Sequence, residues 1–486
     1  MVRLRRLLFY GFTVAYFVVC PWTILYALGY VVRPDGGHGF VRTGAIAIGS
    51  VPQDATVYVN GRRFTERTPT AIRNLLPGSY DLRVIRPRYR PWERTIVVEA
   101  ERVAAQEHVL LLPERETVRT VLEGPFEGAI AVPDTEFLLL RSGPSAGEWV
   151  IFDWRQERSR PLVSSAGRWG GLRVRDVLTV RGSPVVLCRM DGRSGERMVW
   201  INLRDSIGRE RELRSRLHHW PDQAAWDPDD PGVLWAMARG RLSRLSLRGY
   251  QPMTRVAEGV QGIGVFERQA YVLQEGGVFS RWPWAAARGE VLLDDPELGK
   301  RLFRAGSTYV MARLSEGLVL FLGQHGDLVA NRVPYRFAER GILGIEPDAS
   351  GQRVLVWTRR QLGVLDFSQP ALAGALFEAA PHVTWHYRGR ELRGASWVYE
   401  GSHAMVLEGD EAVLVDLSAP ADAAGRSVLR VARDSGIRYV EETGELLYLD
   451  PDRGALEALA LVPRRDLLDS WLPAGQADGT SGMQAP

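Results

Sequence analysis

Only a few stretches of this chain set out residue types at spacings that could do chemistry. Gly143-Pro144-Ser145-Ala146-Gly147 has the Gly-x-Ser-x-Gly spacing of a serine nucleophile held on a strained turn. That chemistry needs a strand before the serine and a helix after it. Here residues 137–141 and 149–153 both read as strands, so a hairpin loop is predicted. Asp227, Asp229 and Asp230 gather carboxylates as a Ca²⁺ loop would. Pro231 then falls at the fifth position and no Glu stands at the twelfth, so the spacing is that of a solvated turn. His218-His219 and His382/His386 are the histidine pairs. An i, i+4 pair shares a helix face, but Val383-Thr384-Trp385 favours a strand, and no Cys pair or Glu completes a zinc set. No catalytic, cofactor-binding or metal residue is assigned, and the chain is read as a non-enzyme.

Two further groups are suited to contact rather than reaction. Trp169, Trp282, Trp284 and Trp385 stand in or near predicted loops, where an indole face could stack on a glycan; the competing role is filling gaps between strands. Residues 204–217 (RDSIGRERELRSRL) are basic along a helical pattern and offer Arg209, Arg211 and Arg214 to a partner, against the simpler reading of a solvated flap. Residues 369–380 (QPALAGALFEAA) follow an N-cap candidate, Ser368, with Pro370 early in the run. This apolar segment offers Leu372, Leu376 and Phe377 to a partner or to the protein's own rim.

The elements that must carry these residues are mostly strands. From about residue 115 to 462 an apolar strand ending in a short polar residue recurs, as Phe152-Asp153-Trp154, Ile201-Asn202-Leu203, Leu245-Ser246-Leu247, Leu365-Asp366-Phe367, Val415-Asp416-Leu417 and Leu449-Asp450. Weaker versions lie at Trp282–Trp284 and Ala330–Arg332. A spacing of roughly 35–50 residues is that of four-stranded propeller blades. A side-chain oxygen at each strand end can accept from backbone two residues on and turn the chain outward. Pro-Asp turns precede other strands, at Pro133-Asp134, Pro228-Asp229 and Pro347-Asp348. This set resembles the degenerate WD40-like propellers of the TolB kind. Counting centres predicts eight blades, with seven as the alternative, and the segment 116–122 is expected to supply the last blade's missing outer strand, closing the ring.

Ahead of this region, residues 44–112 alternate with period two, with turn dipeptides at Asn60-Gly61 and Pro77-Gly78 that predict antiparallel strands. The series Gly44, Ser50, Pro52, Asp54-Ala55, Val57, Val59-Asn60-Gly61, Thr68-Pro69, Ile72, Leu75, Pro77-Gly78, Tyr80, Tyr89 and Trp92 resembles the PEGA domain over about residues 43–112. That resemblance implies a small extracytoplasmic β-sandwich without catalysis. Two positions depart from the family's pattern, with Asp54 and Arg88 where it has glycine.

Residues 7–32 carry no charge and are long enough to cross a hydrocarbon core of roughly 30 Å. Arg3, Arg5 and Arg6 precede them, so the positive-inside rule predicts residues 1–6 in the cytoplasm and the bulk outside it. Residues 33–43 read as a Gly-rich linker, and 463–486 as a short helix and disordered tail. A net charge of +3 spread over both signs leaves no electrostatic footprint for nucleic acid. Cys20 lies in the apolar run and Cys188 in a strand, so no disulfide is expected. The absence of an Asn-x-Ser/Thr sequon fits a bacterial source. Taken together, the sequence predicts a mainly β protein anchored once in a bacterial inner membrane. Its periplasmic modules would scaffold protein subunits of an envelope complex, the alternative being a polysaccharide-binding protein of the cell envelope.

Overall fold

The computed structural model describes residues 2–27, 30–32, 40–143, 148–163, 171–192, 195–205, 211–212, 219–226, 232–246, 254–266, 269–283, 289–368, 381–418 and 425–462. They fall into two units, the first reaching to Thr117 and the second beginning at Val118.

The first unit opens with α1 (Val2–Ala27), which contains Pro21. Phe9, Phe12, Phe17 and Trp22 point outward, each more than half exposed. The helix differs from the predicted span of 7–32. It includes the three arginines and stops at Ala27, because β1 (Tyr30–Val32) turns back to pair with β2 (Phe40–Arg42) and so draws its backbone hydrogen bonds from a strand. The predicted linker is shortened accordingly. Among the described residues no helix is long and apolar enough to cross a membrane.

Seven strands follow: β3 (Gly44–Val51), β4 (Thr56–Val59), β5 (Arg62–Arg67), β6 (Thr70–Leu75), β7 (Gly78–Ile85), β8 (Trp92–Val98) and β9 (Val103–Leu110). They form two sheets, β6-β3-β9 and β5-β4-β7-β8. Period-two alternation puts Ile46 and Ile48 of one sheet with Val57, Leu82, Val84, Ile96 and Val98 of the other in a single core. Asn60-Gly61 makes the two-residue hairpin between β4 and β5, with φ of 47° and 77°, the twist such hairpins require. One pairing differs from the antiparallel expectation: β3 and β9 run parallel, which the intervening strands permit because the chain has crossed to the other sheet and back. Asp54 and Arg88, which replace the family's glycines, both have left-handed backbone, with φ of 66° and 70°.

Among the described residues the second unit contains eight four-stranded antiparallel sheets. Their first strands are Gly128–Ala131, Arg173–Thr179, Gln223–Trp226, Val260–Phe266, Tyr309–Arg313, Ile342–Pro347, Leu392–Val398 and Arg438–Val440, which define blades 1 to 8. From blade 3 to blade 8 the first strand of each blade touches that of the next, so these strands line the axis. In blade 8, Arg438–Val440, Glu445–Leu449 and Leu456–Ala460 are completed by Val118–Leu122, which pairs with Leu456–Ala460. The first strand of the unit thus forms the outer edge of its last sheet.

Packing between blades explains the apolar runs. In the strand Phe137–Ser142, Phe137 and Leu139 pack on blade 2 while Leu138 and Leu140 pack on blade 8. A strand sandwiched on both faces loses hydrophobic alternation and reads as FLLL. The contact of blade 1 with blade 8 closes the ring.

Five of the recurring polar residues make the expected bond at strand ends. Asp153 Oδ1 accepts from the Arg155 and Gln156 amides (2.9 and 3.1 Å), Asn202 Oδ1 from Arg204 (3.0 Å), and Asp366 and Asp416 from Ser368 and Ser418 (2.8 and 2.9 Å). Asp450 makes the same bond to Asp452 (2.9 Å), but between the second and third strands of its blade, because the outer strand there comes from Val118–Leu122. The helical reading of 204–217 is corrected by the strand Arg211–Glu212. It pairs with Val199 and Trp200 as the outer strand of blade 2, whose open edge outweighs helix propensity. A short helix, α2 (Pro296–Leu302), was not anticipated. Its signal is Asp295-Pro296: the Asp295 side chain accepts from the Glu297 and Leu298 amides, and Pro296 sits in the first turn.

Candidate functional site

The blades' first strands turn into second strands around a shared recess. A cavity of about 870 Å³ opens there, with walls from blades 1, 2 and 4 to 8. Its charged lining includes Asp134, Arg181, Arg313, Glu346, Asp348 and Arg438. Phe266, Val310, Met311, Ile345 and Pro347 form an apolar belt between them.

Two Pro-Asp turns position the acids. In blade 1, Asp134 has a left-handed φ of 56° and Thr135 closes the turn, its hydroxyl donating to the Val132 carbonyl (2.9 Å) and accepting from the Phe137 amide (3.2 Å). In blade 6, Asp348 Oδ1 accepts from the Gln352 and Arg353 amides (3.0 and 3.1 Å), while Oδ2 pairs with Arg353 Nε (3.3 Å). Pro133 and Pro347 carry no N–H, so they suit the ends of channel-lining strands.

Arg181 pairs with Asp134 at 3.5 Å. Arg438 Nη2 donates to the Thr135 carbonyl at 3.4 Å, and its buried Nε has no hydrogen-bond partner. Across from them stands Glu346. Its carbonyl accepts from Trp397 Nε1 (2.8 Å), and the Arg353 guanidinium lies 5.1 Å over the Trp397 ring. The Glu346 carboxyl is half-buried in the well and makes neither a hydrogen bond nor an ion pair. Burial pushes it up to about 7, with Asp134 adding to the rise and Arg181 and Arg438 opposing it. The two guanidinium groups therefore act on Glu346 across a gap rather than by contact. Arg313 lies 5.9 Å from the Tyr271 ring, on the blade 5 side.

Such an arrangement can bind and orient charged groups and can exchange a proton near neutral pH. No histidine or cysteine lines it. Among the described residues no group of three His, Cys, Asp or Glu side chains is placed to hold a metal.

Of the residues singled out from the sequence, those of the Pro133-Asp134 and Pro347-Asp348 turns line the well. Ser145, Asp227, Asp229, Asp230 and His218 lie outside the described residues, as do Trp169, Trp284, Arg209, Arg214, Leu372, Leu376 and Phe377. Arg211 lies in the outer strand of blade 2. His386 is in the strand Val383–Arg388, with His382 just before it. Trp282 sits in the strand Phe279–Pro283, packed against the core between blades 3 and 4, with Nε1 donating to Ser280 Oγ (2.8 Å). Trp385 packs against the core between blades 5 and 6. Both indoles fill space between sheets rather than facing the well. The well residues Arg181, Glu346 and Arg438 were not anticipated; Glu346 adjoins the Pro347-Asp348 turn in the sequence, whereas Arg181 and Arg438 reach the well only through the fold.

Comparison with known proteins finds distant similarity to solved propellers and a family match in the first unit. The β-propeller domain of Myceliophteria thermophila Cps50 (Swd1) is 14% identical, with a TM-score of 0.41, covering 71% of this chain and 99% of that one. Kluyveromyces lactis Hsv2 is 9% identical with a TM-score of 0.38, over 60% and 92% of the two chains. YCF48 from Cyanidioschyzon merolae is 11% identical with a TM-score of 0.35, over 70% and 98%. No curated protein sequence matches the chain. The propeller assignment rests on the strand order of this chain itself. Residues 43–110 match the family model of the PEGA domain.

Proposed function

We propose that the chain is a non-catalytic scaffold, anchored in a bacterial inner membrane, whose PEGA domain and propeller hold protein subunits of an envelope complex outside the cytoplasm. The observation that carries this reading is the axial well. Seven blades contribute to one mixed-charge, apolar-belted recess. Its charged groups suit recognition of a partner's side chains. PEGA domain and propeller are both folds suited to protein interaction in general.

Support for the anchor comes from the sequence, in which residues 7–32 carry no charge and follow Arg3, Arg5 and Arg6. The outward Phe9, Phe12, Phe17 and Trp22 of α1 have no polar face to balance them. Of the four tryptophans offered to a polysaccharide, Trp282 and Trp385 pack between sheets. Affinity purification of the intact protein from native membranes in mild detergent tests the proposal. A stoichiometric protein partner is expected, and recovery of the intact chain alone would sink the scaffold reading.

A further inference from the structure

We infer that a track of exposed arginines on blades 6 and 7, at the propeller end away from the well, binds an extended acidic segment of a partner protein. The inference rests on the propeller being protein-binding. The well lies at the turns from first to second strands, whereas this track lies at the turns from second to third strands and at the connections between blades. Arg359 and Arg360 form that turn in blade 6, between the strands Arg353–Thr358 and Gln361–Asp366. The connection from blade 6 to blade 7 lies against it, the Gly389 and Leu392 amides donating to the Arg360 and Arg359 carbonyls at 2.8 Å each. Arg388 ends the outer strand of blade 6, Arg390 follows, and Arg393 opens the first strand of blade 7. Pairing of Ile342 with Thr358 brings Arg340 to the same end, and Arg393 donates to the Arg433 carbonyl.

Arg340, Arg360, Arg388, Arg390 and Arg433 are exposed, and among the described residues none of their side chains makes a hydrogen bond or an ion pair. Most carboxylates at this end are already committed. Glu391 is held by Arg359 (2.8 Å), Asp410 by Arg430 (3.3 Å) and Asp434 by Arg141 (3.7 Å). Glu408 accepts from the Tyr387 hydroxyl and the Arg390 amide, at 2.6 Å each. Only Glu339 and Glu411 are left to set against those arginines. The chain's own Glu391 shows what the surface accepts: its hydrogen bond from Arg359, with Arg433 and Arg393 nearby, holds its carboxyl below the usual carboxylate range. A guanidinium can give a carboxylate two parallel N–H···O bonds and stays charged throughout the physiological range. From the outer strand of one blade to the first strand of the next, the arginines cross three inter-strand spacings, about 14 Å, which an extended segment of about four or five residues covers. Residues 388–393 offer no aromatic side chain for a sugar ring to stack on.

The test is fluorescence anisotropy of labelled hexaglutamate with the full chain in detergent, at low salt and at about 0.3 M salt. Hexaglutamate should bind at low salt and weaken as salt rises. Arg360→Gln/Arg390→Gln should lower affinity about tenfold, and Arg388→Gln/Arg433→Gln should act alike, both melting as the parent does because the side chains removed are exposed and unbonded. Arg62→Gln/Arg63→Gln, which takes two exposed arginines from β5 of the first unit, should leave affinity unchanged. An equal loss in this last variant would mean binding to overall charge and would overturn the inference. So would absence of binding at low salt, tighter binding of hexalysine, or equal binding of hexagalacturonate. Undiminished recovery of a partner with Arg360→Gln/Arg390→Gln in native co-purification would also overturn it, while leaving the scaffold reading in place.

Discussion

At the scale of single residues, two positions show how local backbone demand is written into a family pattern. Arg88 holds a φ of 70° and Asp54 one of 66°, a region that costs a residue with a Cβ about 1 kcal/mol and glycine almost nothing. Arg88→Gly should therefore raise stability by about 0.5–1 kcal/mol, read as the denaturant midpoint of the PEGA transition. Asp54→Gly should gain less, since it also removes the ion pair with Arg67 (2.8 Å). A fall in the midpoint with Arg88→Gly would contradict the assigned turn. Glu346 sets a second expectation. Its carboxyl is raised from 4.5 to about 7, so the folded state holds a proton that the unfolded state has released between those values. Its contribution is fully present below about pH 4.5 and is lost as pH rises through 7. Glu346→Gln should be more stable than the parent at pH 8, by something on the order of 2 kcal/mol, and equal to it near pH 4.5. Melting curves of both proteins at the two pH values check this, and an unchanged difference across pH would refute it.

At the scale of elements, the propeller depends on strands buried on both faces. Leu139 and Leu140 are both fully buried, yet they belong to different interfaces, the first with blade 2 and the second with blade 8. Each Leu→Ala change should cost about 2–5 kcal/mol, and the two should be close to additive because their cavities open on opposite sides of the sheet. Chemical denaturation of the two single variants and the double variant measures it, and a strongly coupled pair would mean one shared cavity. Legibility at this scale was uneven for a physical reason. The strand-end Asx residues and the Pro-Asp turns were readable because their hydrogen bonds are local, reaching two to five residues. The parallel pairing of β3 with β9 was not, since partners Ala45 and Val103 are remote in the chain and alternation is the same in parallel and antiparallel sheets.

At the scale of the whole molecule, the proposed anchor makes its own prediction. The intact chain should stay with membranes through alkaline carbonate extraction, and a chain lacking residues 2–27 should move to the supernatant. An intact chain that washes off would remove the anchor and with it the periplasmic placement. An alkaline phosphatase fusion at the C-terminus should be active, as the arginines ahead of the apolar run require; an inactive fusion with a cytoplasmic reporter active in its place would reverse the topology.

Residue order alone determined what is local: the mainly β character, the PEGA pattern, the blade-length repeat and the turns that close it. These follow from side-chain alternation, φ restrictions and hydrogen bonds spanning a few residues. Tertiary structure decided what depends on residues far apart in the chain. It made Val118–Leu122 the edge of a sheet whose other strands lie more than three hundred residues later, and it turned Trp282 and Trp385 inward. It also brought Asp134, Arg181, Glu346 and Arg438 to one well. Each of these is set by ring closure, which acts through space and leaves no periodic trace in the sequence around any one of them.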